Sequence, residues 1–341
     1  MKNALTYLTR KCPRACNYCA LRNANGMGPE LTEVQWVQAF AILNKLSLDF
    51  NLILGNETWV LKESLIPIMK MNKVPYALYT TCPEPLFTEM RDTLFGTGVV
   101  DNLSCGFDYA PPYGDSISED SFKKSKAAWK GFQWLKENYP TLDSQGTVTV
   151  HKMNYEDLPK IIKILTDLGV FIGVNFIHWN MDGGFDFFPD GKDIQHLLFT
   201  DGDVPALLSV LRQVLQSPGN LQNPEFLQAV IDNPKVIQMQ WHCGGNPYGG
   251  PTIDADGSLR VCGYRKGSET PKFSIFDLPE KWDEWQQAAM HDARKCPGCF
   301  WSYPWMFHYW HEKDTAFGKK VFTKHAGKHI KEETWSKRKI E

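Results

Sequence analysis

The chain has 341 residues, of which 43% are hydrophobic, and a formal net charge of −2. This length can form a large hydrophobic core and allows two domains. A charge near zero gives no overall attraction to nucleic acid. No apolar run is long enough for a membrane span, and the N-terminus lacks the pattern of a secretory signal. We therefore expect a globular protein with no membrane or nucleic-acid partner.

The cysteine usage favours a reducing compartment. There are nine cysteines, an odd number. Their spacings are typical of metal ligands and not of a disulfide framework. We predict localisation in the cytoplasm.

Predicted strands and helices alternate through the first half of the chain. Six short apolar or β-branched runs are predicted as strands: 4–8, 50–54, 75–79, 102–108, 146–150 and 170–177. Helical spacing predicts helices at 31–48, with Thr32 as its cap, and at 61–71, 84–95, 120–138 and 155–168. Six such alternations indicate an α/β fold, a parallel sheet curled as a partial (β/α)6 TIM-like barrel. Chemistry on such sheets lies at the carboxyl ends of the strands.

The pattern changes after the sixth strand. Residues 179–203 are rich in turn-forming types, and helices are predicted at 204–215 and 224–231. We divide the chain into a barrel (1–200), a helical bridge (201–238), a cysteine-bearing module (239–315) and a C-terminal extension (316–341). Residues 318–341 contain eight Lys or Arg and three Glu, which predicts a solvated basic tail.

Three cysteines follow the first predicted strand. Cys12, Cys16 and Cys19 are separated by three and then two residues; we call residues 12–19 the cysteine loop. Three thiolates on one loop suit one face of an iron–sulfur cube and leave one iron without a protein ligand. An open iron can bind and activate a small molecule. A zinc knuckle is the alternative.

This spacing, with the aromatic Tyr18 just before the last cysteine, resembles the radical S-adenosylmethionine (radical SAM) superfamily. The resemblance implies a 4Fe–4S cluster on the three cysteines and S-adenosylmethionine at its open iron. It also implies reductive cleavage to a 5′-deoxyadenosyl radical, which takes a hydrogen atom from a substrate. A flavodoxin- or ferredoxin-like electron donor is expected as a partner.

The resemblance assigns further residues to the cofactor. Gly55, Asn56 and Glu57 stand where the family has a Gly-Gly-Glu turn that meets the methionine amino group. Asn tolerates left-handed backbone, so the replacement of Gly by Asn is expected to be mild. Glu57 is expected to help bind the ammonium group. An ordinary surface turn is the alternative.

The third and fourth strands carry two cysteines as candidate catalytic residues. Cys82 stands near the expected cofactor pocket, either as a functional donor or as a small buried residue. Ser104, Cys105 and Asp108 are expected near the ribose and substrate. Strand alternation places Ser104 and Asp108 on one face and Cys105 on the other.

Relatives place a basic residue against the methionine carboxylate at the start of the next helix, where Lys123, Lys124 and Lys126 lie. The sequence does not distinguish among the three. Asn154 resembles an Asn that relatives use near the ribose. Ordinary packing or solvation is the alternative for each.

A second cysteine group lies in the last third of the chain and contains four residues: Cys243, Cys262, Cys296 and Cys299. Residues 251–261 carry a hairpin signal around an Asp-Gly turn. Four sulfurs suit a closed iron–sulfur cluster or a zinc ribbon. The group resembles the Twitch module, the short form of the SPASM domain. It implies an auxiliary 4Fe–4S cluster, hence two clusters in total, with His308 or His311 as candidates to face the substrate.

Three functions are open. A fully ligated auxiliary cluster suits an electron acceptor, so the main prediction is a dehydrogenase-like oxidoreductase acting on a small polar substrate. Eleven residues precede Cys12, so we expect no peptide-recognition domain ahead of the barrel, which favours a small polar substrate. The alternatives are a maturase that epimerises or crosslinks a ribosomal peptide, and a non-enzymatic metal-binding scaffold.

Overall fold

The structure is a computed structural model that describes most of the chain. The described residues are 3–16, 18–19, 21–46, 48, 50–100, 102–111, 119–179, 191–238, 250–262, 267–296, 298, 302 and 305. Eight strands form one sheet: β1 Asn3–Tyr7, β2 Phe50–Leu54, β3 Tyr76–Thr80, β4 Asn102–Gly106, β5 Asp143–Val150, β6 Phe171–Phe176, β7 Thr252–Ile253 and β8 Leu259–Arg260. Within the described ranges, eight α-helices accompany it: α1 Glu33–Leu43, α2 Leu65–Met71, α3 Leu86–Gly96, α4 Glu119–Asn138, α5 Leu158–Asp167, α6 Val204–Gln216, α7 Pro224–Asp232 and α8 Leu278–Arg294.

The first six strands are parallel, and each pairs with its neighbour in sequence. This order confirms the predicted partial (β/α)6 sheet with crossover helices. Every residue of β1 is buried, as expected where helices cover a parallel sheet. On α5, Leu158, Ile161, Ile162 and Leu165 form the stripe that packs into the core.

Two predicted helices differ in their bounds. A capping box between Thr32 and Gln35 confirms the predicted start of α1, but α1 ends at Leu43. The side chain of the next residue, Asn44, bonds the carbonyl of Met71 and the N–H of Lys73, which turns the chain away. Residues Thr58–Ser64 form a 3₁₀ segment before α2, interrupted by a positive φ at Lys62.

The outer edge of β6 is covered by the segment before α7. Ile172 donates its N–H to the carbonyl of Asn220, and the Asn223 side chain bonds both the N–H and the carbonyl of Val174. These bonds satisfy backbone groups that an open sheet edge would leave unpaired. Two described residues near the C-terminus contact the same side: Ser302 donates to Asn175 Oδ1, and Trp305 packs on Phe226.

The predicted hairpin forms from β7 and β8, which pair antiparallel. β7 also pairs parallel to β1, so the hairpin continues the barrel sheet and is not a detached unit. The predicted domain bounds stay predictions. The sequence reasoning overlooked α8, although Leu278, Trp285 and Ala289 repeat at helical spacing and are buried. Within the residues described, no helix is both long and apolar enough to cross a bilayer.

Candidate active site

The cysteine loop leaves the carboxyl end of β1. Leu8 continues the sheet by donating its N–H to the carbonyl of Leu54, and Cys19 then closes a turn onto the carbonyl of Cys16. Cys16 is buried in a small apolar cluster with Tyr18 and Tyr109. Cys12 and Cys19 are half-buried. The three thiols therefore lie at the edge of the sheet where the sequence predicts chemistry.

Burial raises the pKa of these thiols, to about 12 for Cys12 and about 11 for Cys16. Each neighbouring thiolate raises the pKa of the others further. Metal binding at this loop would therefore displace protons from neutral thiols. Among the described residues, no three Cys, His, Asp or Glu side chains are arranged as a ready metal site. The donor set nevertheless fits an iron–sulfur group, because three soft sulfur donors share one short, partly buried loop.

Tyr18, Asp108 and Lys124 meet beside this loop, and we call them the Tyr18 triad. The Tyr18 hydroxyl donates to Asp108 Oδ2 over 2.5 Å, and Lys124 Nζ lies 2.7 Å from the same oxygen. Asp108 Oδ1 accepts the N–H of Thr149 over 2.7 Å. Lys124 Nζ also lies 5.2 Å from the centre of the Tyr18 ring, within the range of a cation–π contact.

The charges of the Tyr18 triad are mutually dependent. Burial raises the pKa of Tyr18, and the neighbouring Asp108 charge raises it further, so the phenol stays protonated. Burial alone would lower the pKa of Lys124, but the charges of Asp108 and Cys16 outweigh it and the pKa is raised. Lys124 is therefore an ammonium group at the edge of the cysteine loop.

Of the three candidate lysines, the structure places Lys124 at the site. Lys123 and Lys126 are exposed, so their assignment to the cofactor is not supported by their position. The helical period explains the choice, since Lys124 and Ser125 face the sheet on α4. The Ser125 hydroxyl accepts the N–H groups of Asp108 and Tyr109.

Glu57 is fully buried, and its carboxylate joins the ends of β2 and β3. Oε1 accepts from Trp59 N and from the Thr80 hydroxyl, and Oε2 accepts from Thr81 N and its hydroxyl over 2.6 Å each. Burial raises the pKa of Glu57, and the bonds from Thr80 and Thr81 partly offset this. In all of these contacts the carboxylate of Glu57 bonds other residues of the chain. Its binding of an ammonium group therefore stays a prediction.

Gly55 and Asn56 support the cysteine loop. A Cβ at Gly55 would lie 3.1 Å from the Thr9 side chain, closer than the loop allows without moving. Asn56 donates its side-chain amide to the carbonyls of Arg10 and Leu21. The expectation that Asn56 has a left-handed backbone was wrong. The described non-glycine residues with positive φ are Lys62 and Cys82, and Asn56 is not among them.

Ser104 and Asn154 are both buried. The Ser104 hydroxyl lies 3.3 Å from Thr147 Oγ1, in a polar layer on the face of β5 that also carries Thr149. The Asn154 amide donates to the carbonyls of Asp108 and Thr149, and its oxygen accepts the N–H of His151. Asn154 thus fixes the end of β5 beside Asp108, and its contact with a ribose stays a prediction.

Cys82 and Cys105 contact each other in the hydrophobic core, with 2.8 Å between their sulfur atoms. Both are almost fully buried. A Cβ at Gly131 of α4 would lie 3.2 Å from the Cys82 sulfur, so this pair lies under α4. The two thiols therefore pack against each other in the core, which is the position expected of Cys82 in its alternative as a small buried residue. Their catalytic role stays an untested prediction.

Sequence reasoning missed a buried histidine at the site. His151 Nδ1 accepts the N–H of Met153, so Nε2 carries the proton and donates to the Tyr109 hydroxyl over 2.9 Å. Burial lowers the pKa of His151 to about 4. Its ring centre lies 5.3 Å from that of Tyr18. The only sequence signal was its place at the end of a predicted strand.

A charged network around Asp254 was also missed. Arg10, next to the cysteine loop, and Arg260, on the hairpin, both donate to the Asp254 carboxylate. The signal in the sequence for this network was the presence of polar side chains within a run of β-forming residues.

The second cysteine group is only partly described. Cys262 and Cys296 are half-buried, whereas Cys243, Cys299, His308 and His311 lie outside the described residues. Asp292, near the end of α8, accepts the N–H groups of Ser268, Glu269 and Thr270. Burial raises the pKa of Asp292, but these hydrogen bonds outweigh it and hold it at about 2. Asp292 therefore joins the segment after Cys262 to the helix before Cys296.

Solved structures share this architecture. Streptococcus suis SuiB matches with a TM-score of 0.53 and 14% identity over 83% of this chain and 65% of SuiB. Native anSMEcpe with bound AdoMet and Cp18Cys peptide matches with a TM-score of 0.52 and 14% identity, over 94% of this chain and 98% of that one. The fold is that of the radical SAM enzymes. This confirms the family resemblance at the level of the fold.

SuiB bound to precursor peptide SuiA also matches, with a TM-score of 0.57 and 12% identity, over 86% of this chain and 66% of that chain. The chain spans about two thirds of SuiB's length. No family model and no curated protein matches the sequence. One edge of the sheet in this radical SAM fold carries three features: the cysteine loop, the turn formed by Gly55, Asn56 and Glu57, and the Tyr18 triad.

Proposed function

We propose that the protein is a radical SAM enzyme that acts on a peptide. Cys12, Cys16 and Cys19 would hold a 4Fe–4S cluster, and S-adenosylmethionine would bind beside them. The observation that carries the proposal is the Tyr18 triad, a buried, hydrogen-bonded ion pair next to three clustered thiols. It lies on a fold whose solved examples include an AdoMet complex.

Bound at this loop, the cluster would supply the electron that cleaves S-adenosylmethionine reductively and so starts hydrogen-atom abstraction from the substrate. The chain's own residues would bind and orient. The Lys124 ammonium group would be a cation for the methionine carboxylate, and Asp108 fixes its position. Asn56 holds the chain on both sides of the loop, and Glu57 joins the ends of β2 and β3. Tyr18 and Tyr109 cover Cys16 and exclude water from it.

The comparisons favour a peptide over the small polar substrate of our main prediction. Two of the similar structures contain peptides: the SuiB complex with precursor peptide SuiA and the anSMEcpe complex with Cp18Cys peptide. This supports the alternative of a peptide maturase. The proposal covers epimerisation, which is redox-neutral, and also crosslinking or another net oxidation.

An auxiliary 4Fe–4S cluster on Cys243, Cys262, Cys296 and Cys299 belongs to the same proposal. The fold resemblance to anSMEcpe over nearly the whole chain supports it. So does Asp292, which ties together the segments that carry Cys262 and Cys296. Cytoplasmic localisation and a flavodoxin- or ferredoxin-like donor are kept as proposals.

The experiment is anaerobic reconstitution followed by assay of reductant-dependent AdoMet cleavage. Two four-iron clusters would give about eight irons per wild-type chain and about half as many after Cys12→Ala, Cys16→Ala and Cys19→Ala are combined. We expect this triple variant to release no deoxyadenosine. Tyr155→Phe is the control, because Tyr155 bonds Glu156 at the surface and its loss should keep cleavage. Cleavage that persists in the triple variant would exclude radical SAM chemistry.

The substrate is tested with short peptides encoded next to the gene. We expect a reconstituted enzyme to change the mass or stereochemistry of one of them in an AdoMet-dependent reaction. A chain that binds metal but never cleaves AdoMet would instead fit the non-enzymatic scaffold.

A further inference from the structure

One buried carboxylate connects the two cysteine-bearing parts of the chain. Asp254 follows β7 and is 4% exposed. Arg10 donates through Nε to Asp254 Oδ1 over 3.1 Å and through Nη2 to Oδ2 over 2.7 Å. Arg260 donates through Nε to Oδ2 over 2.7 Å, and also through Nη2. The two arginines are 9% and 2% exposed, so these charges are almost entirely removed from water.

Both arginines lie next to proposed iron ligands. Arg10 precedes Cys12 by two residues, and Arg260 precedes Cys262 by two residues. The strands β1 and β7 run parallel with Thr6 opposite Ile253. Their carboxyl ends therefore lie side by side, and Asp254 occupies the point where the two chain segments leave the sheet.

The network also reaches the chain on both sides of the cysteine loop. Arg10 donates through Nη1 to the carbonyl of Met27, and its own carbonyl accepts from Asn56 Nδ2. A small pocket lies between Asp254, Arg10, Asn56 and Leu21.

Asp254 differs from the second acidic residue of this network. Asp256 contacts one nitrogen of Arg10 over 3.1 Å, and its side chain is 29% exposed. Its other oxygen accepts from Ser258 within the hairpin turn. Loss of Asp254 would leave two buried guanidinium groups facing each other, whereas loss of Asp256 would leave Asp254 between them.

We propose that Asp254 is a positioning residue that holds the cysteine loop and the Cys262 segment in one fixed arrangement. This rests on the proposed function, in which both segments carry iron ligands. Asp254 itself touches neither iron site, and it acts through Arg10 and Arg260. Its loss would loosen both segments at the same time.

The first test needs no iron. The metal-free full chain is treated with a thiol-alkylating reagent, and modification of Cys12 and Cys262 is followed by peptide mass spectrometry. In Asp254→Asn we expect both thiols to react about tenfold faster, because local opening of both segments becomes easier. Asp256→Asn removes the same charge and should stay within about twofold of the wild type. Faster reaction at one cysteine alone, or at neither, would overturn the proposal.

The second test uses the reconstituted holoenzyme. Potentiometric titration followed by electron paramagnetic resonance gives the midpoint potential of each cluster, which ligand orientation controls. Asp254→Asn should shift both potentials and Asp256→Asn neither; unchanged potentials in a folded Asp254→Asn protein would contradict the proposal.

If Asp254→Asn does not fold, the double variant Asp254→Asn with Arg10→Gln replaces it, because it removes one charge of each sign. A wild-type chain that takes up no iron would refute the proposed function, and the alkylation result would still decide the role of Asp254.

Discussion

The Tyr18 hydroxyl donates a hydrogen bond of 2.5 Å to Asp108, across 90 residues of sequence. Tyr18 belongs to the cysteine loop, and Asp108 follows β4. The bond therefore joins the loop to the end of β4, where Lys124 of α4 also contacts Asp108. Tyr18 therefore makes a polar contact through its hydroxyl, and its ring covers the thiols with apolar surface.

Tyr18→Phe keeps the ring and removes this bond. We expect the free energy of unfolding to fall by about 2 kcal/mol, because the lost bond has a charged acceptor. Urea unfolding measures the change. Tyr155→Phe is the control, since Tyr155 OH bonds Glu156 at the surface, and it should change stability by less than about 0.5 kcal/mol. A Tyr18→Phe protein as stable as the control would mean that the bond contributes nothing.

Lys124→Met leaves the buried Asp108 without its cation. Removing one partner of a buried ion pair typically costs about 3 kcal/mol or more of folding free energy. We also expect weaker AdoMet binding, measured by equilibrium dialysis of the reconstituted protein. Lys126→Met on the exposed face of the same helix is the matched control and should change neither quantity. Equal AdoMet affinity in the two variants would remove Lys124 from the cofactor site.

His151 makes stability depend on pH. Its pKa is lowered from 6.5 to about 4 by burial, so between these values the unfolded chain binds a proton that the folded chain does not. Stability should therefore fall as the pH drops from 6.5 to 4, by about 3 kcal/mol from this residue. His178, with a pKa lowered to about 3 by burial, acts in the same direction.

The measurement is urea unfolding of the metal-free chain at pH 7 and pH 5, with NMR titration of the His151 ring. His151→Gln should flatten the pH dependence, whereas His291→Gln should not, because the His291 side chain is 50% exposed. A ring of His151 that titrates near 6.5 would contradict the burial argument.

Cys82→Ala separates packing from catalysis. Its thiol lies under α4 against Cys105, so we expect a loss of about 1 kcal/mol from the small cavity and normal product formation. Liquid chromatography with mass spectrometry would follow deoxyadenosine and product together. Deoxyadenosine without product would instead assign Cys82 as the hydrogen-atom donor of a redox-neutral reaction such as epimerisation.

The sequence by itself determined the six parallel strands, the hairpin and the cysteine spacing. Apolar runs such as 50–54 predict buried strands because both faces of the sheet are covered, and ligand spacing is a local property of one loop. Local pattern also placed Thr32 as a helix cap. These features depend on neighbours a few residues away.

Only the tertiary structure decided which polar side chains meet. Lys124 was one of three equivalent lysines until the packing of α4 turned it towards Asp108 and left Lys126 outside. The thiol of Cys82 was expected either as a functional donor or as a small buried residue, and its contact with Cys105 lies in the core. Asp254 contacts Arg10 although 244 residues separate them in the sequence, and no local pattern predicts such a contact. Such contacts depend on where the crossover helices and the hairpin place distant segments, and that is fixed by packing of the whole sheet.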